Sequence, residues 1–210
     1  VASLQYKPTR MEMSNLKKRL AVAVRGHKMM KDKRDELVRR FIVLARRNKD
    51  LREAVEMKLG EAMKAFVLAR AMMSESEIDE ALIYPARSMS VEAGNATILS
   101  VPVPKLEMDS RTEFTYPYGF VTTSADLDEA VQRLADILPL MLELAETEKA
   151  CGRLADEIEK TRRRVNALEY VMIPQFTEAI RDIRMKLEEN ERGATSRLMK
   201  TKEMLKEAGK

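Results

Sequence analysis

The chain has 210 residues, 34% of them charged and only 5% aromatic, with no Trp, seven Gly and one Cys. That profile belongs to long helices rather than to a broad globular core, while a 45% hydrophobic share argues against disorder throughout. A single cysteine, Cys151, permits no internal disulfide and fits a reducing compartment; the longest apolar run, Ile137 to Leu142, is far short of the roughly 20 residues that span a bilayer.

Pro8 precedes Thr9-Arg10-Met11-Glu12, a capping box that predicts a helix start. From there a 4/3 alternation runs through Met13, Leu16, Leu20, Ala23, His27, Met30, Arg34, Leu37, Phe41, Leu44, Asn48, Leu51 and Val55, then more weakly through Ala62 and Ala69. Ten of those first thirteen positions are apolar, which no strand pattern produces. The spacing predicts helix one over 9–72, roughly 95 Å at 1.5 Å per residue, with a stripe so narrow that it requires a second helix along it.

The character changes over 73–123, which holds Pro85, Pro102, Pro104 and Pro117 together with Gly94 and Gly119. Two short strands are expected near 88–103 around a turn at Gly94-Asn95, with Pro102 at an edge or strand end. Phe114, Tyr116, Tyr118 and Phe120 place four aromatics within seven residues. They read either as packing for this segment or as anchors for a partner.

Thr123-Ser124-Ala125-Asp126 is a second capping signature, opening helix two over 124–205. Its stripe runs through Leu127, Val131, Leu134, Leu138 and Met141, slips phase around Glu148–Gly152, and resumes at Leu154, Ile158, Val165, Leu168 and Met172. Pro139 and Pro174 are expected to bend it. The fold class expected is mainly α: a long antiparallel two-helix coiled coil with a short β-hairpin-containing middle segment, one elongated unit.

Charge is segregated along that plan. Residues 7–49 carry 15 Lys/Arg against 4 Asp/Glu and residues 162–210 are net +4, whereas residues 73–126 are net −6 and residues 127–161 net −5. The basic segments would share the end that holds both termini.

Catalytic chemistry is hard to place. No Walker-type phosphate loop is present, and Cys151 has no Cys or His at zinc spacing. The one histidine, His27, lies on the seam, where packing or register control is the expected role. Neither a cofactor, a metal site nor a catalytic residue is expected. The basic clusters at 27–37 and 160–164 raise nucleic-acid binding as an alternative, alongside a scaffold role, but acids are interleaved in the first and no stacking aromatics accompany either.

Several stretches resemble the D subunit of the V-type and archaeal-type rotary ATPases: Pro8-Thr-Arg-Met11, Leu16-Lys-Lys-Arg-Leu20, Gly26-His-Lys28, Lys31-Asp-Lys-Arg-Asp-Glu-Leu37, Ile173-Pro-Gln175, Met185-Lys-Leu187 and above all Glu159-Lys-Thr-Arg-Arg-Arg-Val-Asn-Ala-Leu-Glu-Tyr170. The resemblance covers both long helices, with Val101-Pro-Val-Pro104 fitting the family's second hairpin strand. It implies a non-catalytic central rotor shaft, cytoplasmic and peripheral to the membrane. Such a shaft carries torque between the A–B catalytic hexamer and the membrane rotor ring and couples ATP turnover to proton or sodium movement. Its implied partners are the A and B subunits, the F subunit and the rotor-ring cap subunit, with no nucleic acid and no membrane insertion. On that basis Lys31, Arg34, Arg162, Arg163 and Arg164 are candidates for contact with the head, although Arg34 on the seam line could instead set register. Val101, Val103, Phe114, Tyr116, Tyr118 and Phe120 are candidates for the lower contacts.

Overall fold

The computed structural model describes residues 6–85, 90–109, 116–119, 121 and 123–208. In chain order the elements are α1 (Arg10–Met72), α2 (Glu75–Ala81), β1 (Ser90–Ile98), β2 (Val101–Asp109), α3 (Ala125–Ala167), a π turn (Leu168–Met172) and α4 (Ile173–Ala208). The expected class holds: mainly α, with paired long helices and one antiparallel hairpin in the middle segment. The chain divides into two compact units, residues 1–35 with 159–210 and residues 36–158.

In the first unit, Thr9 caps α1: its Oγ1 accepts from the Glu12 amide at 3.2 Å. The other half of the expected box is absent, because the Thr9 amide donates to the Lys7 carbonyl at 2.8 Å instead. Leu16 and Ala23 from α1 meet Phe176 and Ile183 from α4, with Met13, Leu20, Leu168, Ile173, Ile180 and Leu187 packed around them.

The π turn explains why the seam leaves its expected path. Met172, expected on the stripe four residues after Leu168, is 41% exposed. The Ile173 amide bonds back five residues to the Leu168 carbonyl, so one extra residue enters the turn. The seam therefore steps from Leu168 to Ile173, then returns to 4/3 spacing at Phe176, Ile180, Ile183 and Leu187. Pro174 follows directly; a widened turn accommodates a ring that would press on the carbonyl four residues back in an α turn.

In the second unit, α1 packs against α3 through Val55, Ala62 and Ile137, and further along Ala69 of α1, Ala81 of α2 and Leu127 of α3 meet. The phase slip expected around Glu148–Gly152 does not occur. Buried Thr147 and Ala150 carry the seam on to Leu154, so hydrophobicity lapses there while helical geometry does not. The Thr147 hydroxyl is satisfied by donating to the Glu143 carbonyl at 2.8 Å. Met141, also expected on the stripe, is 45% exposed, and its neighbours Leu140 and Leu144 pack into that part of the seam instead. α3 is capped by Ser124 rather than Thr123, its Oγ accepting from the Asp126 amide at 3.1 Å. α2 went unforeseen, although Ser74-Glu-Ser-Glu77 spells a full capping box and both of its hydrogen bonds form.

The hairpin is longer than expected and turns elsewhere. Gly94-Asn95 lies inside β1, and the reversal is the two-residue turn Leu99-Ser100, with φ of 50° and 69°. Turn propensity favours Asn-Gly at such positions. Packing decided otherwise: this register lays Val101 and Ile98 against Leu37, Leu154, Phe41 and Ile158.

Candidate functional site

Two surfaces, one in each unit, hold the residues singled out above. In the first unit, Thr161 and Val165 are buried at 0% and 1% exposure, and the three arginines between them are all exposed. Three consecutive residues of an α-helix point about 100° apart, so Arg162, Arg163 and Arg164 fan around the outer face. Arg163 is engaged by Glu159 one turn earlier. Arg162, Arg164 and exposed Lys31 have no ion pair among the described residues. Arg34 is different. Its guanidinium is 29% exposed and donates through Nε and Nη2 to Asp35 Oδ1 at 3.0 and 2.7 Å. Half of its hydrogen-bonding fork is thus already committed to its own helix.

His27 is half-buried, with Nε2 3.3 Å from Glu169 Oε2 on the π turn. One further feature here escaped sequence reading: an apolar groove of about 570 Å³ lined by Val22, Ala23, Gly26, Leu168, Met172 and Phe176, with Lys18 and Arg19 at its rim. The groove depends on Met172 being turned out of the seam. Its only sequence signals were the paired small residues Ala23 and Gly26 and the proline at 174.

In the second unit, the hairpin candidates divide. Val101 and Val103 are 5% and 4% exposed, Val101 against Leu37 and Leu154, so they anchor the hairpin from inside and offer no surface to a partner. Alternate residues of a strand face opposite sides, and this side is taken by the helices. Tyr118 is half-buried beside Ala69, Ala81 and Leu127, and its hydroxyl donates to Asp128 Oδ1 at 2.8 Å. Burial first, then the Asp128 carboxylate, pushes its phenol well above the ordinary value, because both oppose a phenolate. Tyr116 is half-buried and tilted against Tyr118, ring centroids 5.8 Å apart. Phe114 and Phe120 lie outside the described residues. For Tyr118 packing is the evident role.

The one thiol, Cys151, is half-buried in the seam; burial pushes its pKa up, against a smaller opposing contribution from the Asn48 side chain. A raised thiol pKa suppresses the nucleophilic thiolate. Among the described residues no group of three or more His, Cys, Asp or Glu is placed to hold a metal ion, and no helix is long and apolar enough to cross a membrane. The two surfaces thus present exposed guanidinium and ammonium groups in one unit and a sheet with aromatic residues in the other.

The family model for the D subunit of ATP synthase matches residues 12–203. Among curated relatives, the V-type ATP synthase D subunit of Clostridium botulinum (strain Alaska E43 / Type E3) is 52% identical over 213 residues, covering all of both chains. That of Clostridium novyi (strain NT) is 54% identical over 209 residues, covering 98% of this chain and 97% of its own. That of Thermoanaerobacter sp. (strain X514) is 53% identical over 203 residues, covering 96% and 97%. With a match spanning both long helices and the hairpin between them, the chain belongs to the family of ATP synthase D subunits.

Proposed function

We propose that this chain is the non-catalytic central shaft of a V-type rotary ATPase, turning inside a hexamer of A and B subunits and passing torque to the membrane rotor ring. It works on the cytoplasmic side, peripheral to the membrane. Its partners are the A and B subunits, the F subunit and the subunit that caps the ring. The coupled ion is a proton or sodium.

The observation that carries the reading, beside family membership, is the arginine fan. Arg162 and Arg164 on α3, with Lys31 on α1, are exposed cations without an ion pair among the described residues, and the seam positions Thr161 and Val165 on either side of the arginines are buried. An exposed charge already paired with its own helix has little left for a partner, whereas an uncommitted one can steer and lock an acidic surface. Two paired helices also have an asymmetric cross-section, so each rotor angle presents different groups to three equivalent catalytic interfaces. That difference in contact between states is what coupling requires. The middle segment supplies the lower contacts through Tyr116, Phe114 and Phe120, with Tyr118, Val101 and Val103 acting indirectly by holding the segment in place.

The test is reconstitution. The chain is mixed with a shaft-free A–B hexamer and the F subunit, separated by gel filtration, and followed by rotation of a bead fixed to it under ATP. Co-elution with unidirectional stepping is expected. Arg162→Ala with Arg164→Ala and Lys31→Ala should then slow stepping at least tenfold, and Arg34→Ala should do less. Failure of the parent chain to enter the hexamer would overturn the shaft reading. Parental stepping by the triple variant would overturn only the assignment of the arginines.

A further inference from the structure

The hairpin has two unlike edges. A two-residue turn makes Ile98 and Val101 a hydrogen-bonded pair, and alternation along the register follows from it. Ala96 with Val103, Gly94 with Lys105 and Glu92 with Glu107 therefore bond inward. The pairs Thr97 with Pro102, Asn95 with Pro104, Ala93 with Leu106 and Val91 with Met108 aim their backbone groups outward.

On β2 that outer edge is closed from Pro102 to Leu106. Pro102 and Pro104 have no amide hydrogen, and the next outward amide, Leu106, donates to Glu146 Oε2 of α3 at 3.1 Å. On β1 the outer edge is open: among the described residues no hydrogen bond engages the outward amides of Val91, Ala93, Asn95 and Thr97, and all four residues are exposed. Nor does β1 carry the devices that blunt an edge. It is nine residues long, lacks proline and lysine, and has Glu92 as its single charge.

We infer that the outer edge of β1 accepts an extended strand from a partner protein, turning the two-stranded hairpin into a three-stranded sheet. Four outward N–H groups and four outward C=O groups repeating every second residue match the backbone of another strand and neither a helix nor a small ligand. The blocked β2 edge limits growth to one added strand. The surrounding charge selects the occupant. Residues 73–126 are net −6, and Glu92 has no ion pair among the described residues. A second copy of this acidic hairpin is therefore disfavoured, and a neutral strand with Lys or Arg facing Glu92 is favoured.

The inference rests on the shaft reading, since it supposes an assembly that supplies the strand. Hydrogen exchange resolved to single amides, on the free chain and on the reconstituted rotary complex, tests it. In the free chain the amides of Glu92, Ala96 and Ile98 exchange slowly and those of Val91, Ala93, Asn95 and Thr97 rapidly. In the complex the second set should slow by about 100-fold or more. Rapid exchange of that set in a complex that has assembled and steps would overturn the inference and leave the shaft reading intact. Slowing of exposed side-chain neighbours without those four amides would overturn it too. A parent chain that does not assemble at all overturns both.

Asn95→Pro is the matching substitution, because Pro104 directly opposite shows that proline fits an outward position of this hairpin. It should weaken assembly at least tenfold while the inward amides stay slow, and parental assembly would overturn the inference. If the inward amides also become fast, the hairpin itself has been lost and the exchange pattern of the parent chain decides. Sedimentation of the free chain as a dimer with its outward amides already slow would assign the edge to a second copy and overturn the partner assignment.

Discussion

The π turn at Leu168–Met172 makes a quantitative prediction about deletion. Removing Val171 leaves Leu168 and Ile173 four residues apart, so the seam through Phe176, Ile180, Ile183 and Leu187 keeps its face with ordinary α winding. Val171 is 48% exposed, so its own packing loss is small. The cost comes from Pro174, which would then press on an α-helical carbonyl and leave it unbonded, about 3 kcal/mol. Pairing the deletion with Pro174→Ala removes that cost. Deletion alone should lower the melting temperature by about 6–12 °C for a chain of this size, and the double variant should melt at or above the parent. Deleting exposed Thr177 is the control. Downstream residues rotate by about 100°, and whether or not the π turn relaxes, either Phe176 or Ile183 leaves the seam, about 1.5–3 kcal/mol. Circular dichroism melts at 222 nm read all three. A double variant melting as far below the parent as the Thr177 deletion would show that the π turn does not correct the seam's phase.

Three further outcomes follow from single sites. Leu99 and Ser100 hold positive φ without being Gly, so Leu99→Asn with Ser100→Gly should stabilise the hairpin by about 1–2 kcal/mol, read as roughly 5–30-fold slower exchange of the Ala96 and Ile98 amides. Thr161 is fully buried and its Oγ1 has no partner among the described residues, so Thr161→Val should raise stability by about 1–3 kcal/mol in a urea titration; a loss of stability would mean that the hydroxyl is satisfied in solution. Tyr118 has a raised pKa, so its stabilising neutral form is fully present below the unfolded value of about 10 and is lost as pH rises through the higher folded value. Melting temperature should therefore fall above pH 10 in the parent and fall less in Tyr118→Phe.

How far the sequence could be read depended on whether period or packing governed a residue. All thirteen seam positions of α1 from Met13 to Val55 are buried or half-buried, because a 4/3 spacing sustained over 43 residues has one physical solution. One-residue events were not legible. A π turn leaves no composition signal beyond a proline that also fits a simple bend. In the hairpin, Gly94-Asn95 carries the stronger turn propensity, and only the apolar pocket formed by Leu37, Phe41 and Leu154 reveals why Val101 rather than a later residue had to start β2. Among the site residues, exposure of Arg162–Arg164 was predictable from the neighbouring seam residues. Glu159 stands one helical turn before Arg163, where an ion pair is expected and forms, whereas the pairing of Arg34 with adjacent Asp35 was not legible, since a helix offers each arginine several acids at workable spacing. Val101 and Val103 were named as candidates for the lower contacts, and their burial was not legible because their face depends on register, which one residue of slip would reverse.

A seam repeating every seven residues poses a problem of its own, because α1 could slide one heptad along its partner and bury nearly the same apolar area. Polar pairs on and beside the seam resist this. In the first unit His27 meets Glu169, and Arg10 meets Glu191. In the second, Arg47 meets Glu143, and Arg52 Nη2 lies 3.3 Å from Glu148 Oε1. Each exposed pair stabilises by no more than about 1 kcal/mol, too little to hold the helices together. Their value is differential. A one-heptad slide breaks all of them at once and also lifts Val101 from Leu37 and Leu154, so the correct register is favoured by several small terms of one sign. Torque passed through two helices in a shaft would act along this same coordinate, twisting one strand past the other. Ion pairs that add little to the seam in isolation would then be the ones that keep it from slipping under load.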